Sequence, residues 1–71
     1  MYYAIASENG TELANGVQDY DVACRYAQEF ADELDQTVEL YRADAEANEA
    51  RREADESGEA DPYPSEEFEP S

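Results

Sequence analysis

The side chains able to do chemistry in this chain are mostly carboxylates. Twenty Asp and Glu stand against four Arg, one Cys and six Tyr, with no Lys and no His. That set is poorly suited to acid–base or covalent catalysis. Without His no side chain titrates near neutrality unless strongly perturbed, and without Lys neither a Schiff base nor a P-loop lysine is available. Two carboxylates about 5–10 Å apart in different environments can hydrolyse a glycosidic bond. A chain this acidic makes such pairs by chance, however, and 71 residues supply nothing to form a sugar cleft. Calcium fares no better: Asp19 and Asp21 are followed by Val22, Ala23 and Cys24, with no glycine at the sixth place of an EF-hand loop. The stretch from Asp55 to Asp61 fails the spacing too. Cys24 has Asp21 and Glu29 nearby rather than the cations that lower a thiol pKa, and a lone cysteine forms no internal disulfide. The expectation is a protein that is not an enzyme, with no catalytic residue, metal or cofactor.

What remains is the charge itself, −16 at pH 7. A phosphate backbone needs cations to release its counterions, so direct binding of nucleic acid is disfavoured and the natural partner is something basic. The acids crowd into DVACRYAQEFADELDQ, residues 21–36. At 100° per residue one arc of a helix there holds Asp21, Arg25, Gln28, Glu29, Asp32, Glu33 and Asp35. Asp32, Glu33 and Asp35 fall in its last turn, where the macrodipole favours cations, and each costs roughly 0.3–1 kcal/mol. Stability alone would not have placed them. A compact chain of this length has a radius of gyration near ~11 Å and a diameter of roughly 28 Å, over which duplex DNA carries roughly 16 charges. Carboxylates at Asp21, Glu29, Asp32, Glu33 and Asp35, joined on a sheet by Glu39 and Glu12, are expected to form one negative face that stands in for phosphates.

The elements that must position these residues follow from local pattern. Tyr2 to Ser7 reads as a strand, Asn9-Gly10 as a two-residue type I′ turn and Thr11 to Val17 as a second strand. Gly16 marks a bulge or the exit from that strand. Asp19 or Asp21 offers an N-cap, and Ala23, Tyr26, Ala27, Phe30 and Leu34 recur at helical spacing. Thr37 to Arg42 returns to alternation, with Val38 and Leu40 on one side.

The fold predicted is α+β: a β-β-α-β unit over residues 1–42, its three-stranded antiparallel sheet in order 2-1-3 and covered by one helix. Its core comprises Tyr3, Ile5, Leu13, Val17, Ala23, Tyr26, Ala27, Phe30, Leu34, Val38 and Leu40. Residues 43–58 form an Ala/Glu-rich helix stopped by Gly58. It is supported by Arg51–Asp55 and Arg52–Glu56 pairs, or else its stripe of Ala43, Ala47, Ala50 and Ala54 docks on the sheet beside Ala4, Ala6 and Ala14. Residues 59–71, with three prolines and no period, are expected to be a disordered acidic tail. The opening MYYAIASENG lacks a basic region and a long apolar core, and no stretch approaches the roughly 18 residues of a membrane span. A monomer in a host bacterial cytoplasm, away from membranes, is expected.

In size, hairpin-helix-strand order and crowded helix acids, the chain resembles the small acidic DNA-mimic inhibitors of phages and mobile elements. It is most similar to the anti-CRISPR proteins directed at type I interference complexes. The resemblance implies a DNA mimic that occupies the basic region of the surveillance complex where the target's adjacent motif (PAM) is first read as duplex. Blocking that reading prevents strand opening, because the motif is recognised before the guide pairs. Two alternatives share the composition: a small binding module of a salt-adapted cytoplasm, its acidity a solubility device, and an anti-restriction mimic aimed at another DNA-binding enzyme.

Overall fold

The computed structural model describes residues 1–71 as β1 (Tyr3–Ser7), β2 (Glu12–Val17), α1 (Tyr20–Leu34), β3 (Val38–Arg42), α2 (Ala45–Ser57) and β4 (Glu66–Phe68). All strand pairs are antiparallel, in the order β2-β1-β3-β4. The α+β class and the expected 2-1-3 arrangement are present, but the sheet has four strands, not three. The fourth corrects the expectation of a disordered tail. Phe68 lies opposite Val38 and packs against the core, so a segment without local strand character is fixed by the free edge of β3.

The first hairpin also differs from expectation. A type I′ turn requires positive φ at both central residues, yet of Asn9 and Gly10 only Gly10 has it, at 91°. The loop is three residues long: Gly10 N–H donates to the Ser7 carbonyl at 2.9 Å and Ser7 N–H to the Thr11 carbonyl at 2.8 Å. The Asn9 side chain closes it, accepting from Thr11 N–H at 3.1 Å and from the Ser7 hydroxyl. In β2 the register against β1 shifts twice, at Leu13 between the Ile5–Ala14 and Ala6–Glu12 pairs, which turns Glu12 to the face of Ala6, and near Gly16, whose φ of 77° only glycine adopts readily, so Gly16 does mark a bulge.

Asp19, not Asp21, caps α1, accepting from Asp21 N–H at 2.9 Å and Val22 N–H at 3.3 Å. The buried stripe of α1 is Ala23, Ala27 and Ala31, spaced by four, which meets Ile5, Val38 and Leu40. Tyr26 and Leu34, expected in the core, are 43% and 41% exposed. The reason is steric: alanines under the helix axis let it approach the sheet closely, leaving larger residues at its margins, where Cys24 and Phe30 still pack on the core.

Ala4 and Ala6 point to the other face of the sheet and are buried there. Tyr41, paired with Ala4, shares that face, and the α2 residue Arg51 lies over its ring at 5.7 Å. Arg51 also donates to the carbonyl of Arg42. Ala47 and Ala54, seven residues apart on α2, are buried while Ala43 and Ala50 are half-buried. The alanine stripe therefore faces protein, and α2 lies on the face opposite α1. The expected Arg51–Asp55 and Arg52–Glu56 pairs are not formed. Arg51 instead reaches Asp61 at 3.4 Å and Asn48 at 3.0 Å. Gly58 ends α2 with φ 77°, as expected.

Candidate acidic interface

The register places the sheet acids. Glu12 is paired with Ala6, Ala6 with Glu39, and Glu39 with Glu67. Directly paired residues point to the same side of a sheet, so Glu12, Glu39 and Glu67 form a row across four strands, interrupted only by Ala6. Three strand spacings span about 14 Å. Glu39 is half-buried while Glu12 and Glu67 are exposed, and none has a cation partner. Like charges directly opposite, as at Glu39 and Glu67, are destabilising. Glu67 escaped sequence reading because nothing local marks β4 as a strand.

The helix acids lie elsewhere. Asp21, Glu29, Asp32 and Glu33 are exposed on α1, on the arc opposite Ala27. Asp35 follows the helix in the left-handed region, with φ 53°. Because α1 covers the Ile5 face and the glutamate row shares the Ala6 face, the seven residues expected on one surface are divided between two. Alternation along β1 decides this: neighbours Ile5 and Ala6 face opposite ways. A further acidic stripe carries its own helical spacing in the sequence: Glu46, Glu49, Glu53 and Glu56 are exposed on α2, with Arg52 beside them.

Asp32 is not a free carboxylate. It accepts from Ser71 N–H at 2.7 Å, the Ser71 hydroxyl at 2.9 Å and Gln28 Nε2 at 3.1 Å. The Ser71 hydrogen bonds, backbone then side chain, followed by that from Gln28, hold its pKa below the usual carboxylate value. Gln28 also donates to the Glu69 carbonyl at 2.8 Å, and Tyr20 donates its hydroxyl proton to Glu66. Tyr20, Gln28 and Asp32 thus clamp β4 and the residues after it onto α1. The Glu66 hydrogen bond, with a lesser one to Cys24, raises the Tyr20 pKa above the usual phenol range.

The four guanidinium groups divide evenly. Arg42 pairs with Asp44 at 2.9 Å and Glu46 at 3.3 Å, lies 4.5 Å from the centre of the Tyr63 ring, and keeps a buried Nε without a partner. Its hydrogen bond to Asp44 raises the Arg42 pKa and lowers that of Asp44. Arg51 joins α2 to Tyr41 and Asp61. Arg25 and Arg52 are exposed and join no ion pair. Half of the positive charge is therefore spent inside the fold, where it screens few of the exposed carboxylates.

No family model, curated protein or solved structure matches this chain. Its functional reading rests on geometry and charge. No three Cys, Asp or Glu side chains converge as a metal site requires, and no helix is long and apolar enough to cross a membrane.

Proposed function

We propose that this chain is a DNA mimic and acts as an anti-CRISPR inhibitor of a type I interference complex. It occupies the basic site at which the motif-bearing duplex is first read. The observation that carries the reading is the row Glu12, Glu39 and Glu67: like charges aligned across strands, one half-buried, with no compensating cation. Folding gains nothing from that alignment. A groove of Lys and Arg does, because each carboxylate accepts charge-assisted hydrogen bonds where phosphate oxygens otherwise would.

The molecule measures 38 × 22 × 17 Å, longer than a sphere of its chain length. A duplex carries about 22 charges over that length, so at −16 the chain is less densely charged than a duplex, and the match expected for a sphere of roughly 28 Å is not kept. The net field steers it to a basic site and speeds association. Occupation alone blocks motif recognition, and guide pairing depends on that step.

The test is competition between the purified protein and motif-bearing duplex for a type I surveillance complex. Wild type displaces the duplex, and displacement weakens as salt rises. Glu12→Lys, Glu39→Lys and Glu67→Lys together abolish it with the fold retained, whereas Glu29→Lys with Glu33→Lys only weakens it. Undiminished competition by the triple variant rejects the mimic. A second reading draws on the division of acids between opposite faces, which suits a salt-adapted module whose charge serves solubility. Such a domain unfolds below molar salt, while a DNA mimic stays folded in ordinary buffer.

A further inference from the structure

Where the segment between α2 and β4 passes Tyr3 and Tyr20, it leaves an open surface pocket of about 340 Å³, within the range of small-ligand sites. None of the row glutamates lines it. Its walls carry Tyr3, Tyr20, Tyr41 and Tyr63, with Arg42 and Glu66 beside them. Tyr3 and Tyr20 meet edge to face, their centres 5.5 Å apart, and form an aromatic corner. Tyr63 already holds one guanidinium, that of Arg42, 4.5 Å from its ring centre. The charge of Arg42 is offset by Asp44 and Glu46. Glu66 has no cation and takes only the Tyr20 hydroxyl. An aromatic cavity with a carboxylate at its wall, in a chain of charge −16, is complementary to an organic cation.

We propose that this cavity is an anchor pocket for one arginine side chain of the basic partner, its guanidinium set against the tyrosine rings and hydrogen-bonded to Glu66. Arginine fits better than lysine because its planar group stacks on a ring while its N–H fork reaches a carboxylate. The proposal rests on the mimic reading only for the source of that arginine.

The experiment is an NMR titration of the full chain with acetyl-Gly-Arg-Gly-amide, and with the same peptide carrying neutral citrulline. The arginine peptide gives saturable shifts at the rings of Tyr3, Tyr20 and Tyr63, and the citrulline peptide gives none. Glu66→Gln weakens binding about threefold. Tyr20→Phe keeps the ring and frees Glu66, so it tightens binding, and it decides the matter if Glu66→Gln disturbs β4. Equal response to citrulline, unsaturable shifts spread over the acidic rows, or wild-type affinity in the folded variants overturns the pocket. No DNA-binding protein is present, so failure here leaves the duplex competition result standing, and failure there leaves the pocket standing.

Discussion

Asp35 ends α1 in a conformation that crowds Cβ against the backbone, and it places a negative charge at the negative end of the helix dipole. Glycine removes both penalties. Asp35→Gly is expected to raise stability by about 1 kcal/mol, read as a higher denaturant midpoint at unchanged slope; a lower midpoint would give the Asp35 side chain a stabilising role. Tyr20 illustrates the opposite sign of linkage. Its folded pKa is raised, so its contribution is complete below the unfolded phenol value of about 10 and is lost as pH climbs through the folded one. In an ultraviolet titration the Tyr20 phenol lags, ionising above the usual range. Tyr20→Phe removes the laggard, and a persistent slow phenol would place the perturbation elsewhere. The dipole penalty at Asp35 is legible in sequence; its left-handed backbone and the contact between Tyr20 and Glu66 across 46 positions are not.

At the scale of elements, β4 is the least self-sufficient part of the sheet. It is three residues long, sets Glu67 against Glu39, and is held by Phe68 on the core and by the clamp from α1. Phe68→Ala is expected to cost about 1–2 kcal/mol, since the ring is only partly buried. It should also speed hydrogen exchange of β3 amides; unchanged exchange there would mean that β4 does not shield the edge. The hairpin, α1 and β3 were legible because each carries its own signal: a glycine turn, a capped apolar period, an alternation. The register of α1 was not fully legible. A scale that ranks Tyr26 and Leu34 above Ala31 by hydrophobicity ignores how close the helix must come to the sheet.

For the whole molecule, the charge sets the response to solvent. Protonation of exposed carboxylates relieves self-repulsion as pH falls from 7 toward about 4. Asp32 and Asp44 act the other way: their folded pKa values are depressed, so their stabilisation is present above the unfolded carboxylate value and is lost as pH falls through the folded one. Thermal melts should therefore peak at mildly acidic pH, near about 4–5, and fall below it. A maximum near neutrality would show that repulsion is minor. Raising salt from about 0.01 to about 0.15 M should increase the melting temperature by screening, while weakening attachment to a basic partner. Stability and binding then move in opposite directions with salt.

Composition and local period determined that this chain is small, strongly acidic and built around a hairpin, one amphipathic helix and a returning strand, because charge and periodicity are properties of neighbouring residues. Tertiary structure alone decided which acids share a surface. Pleating sends Ile5 and Ala6 to opposite faces, α1 takes one of them, and the glutamate row lies on the other. It also decided that the last residues close the sheet: an unpaired strand edge and an apolar seat for Phe68 exist only once the rest has folded.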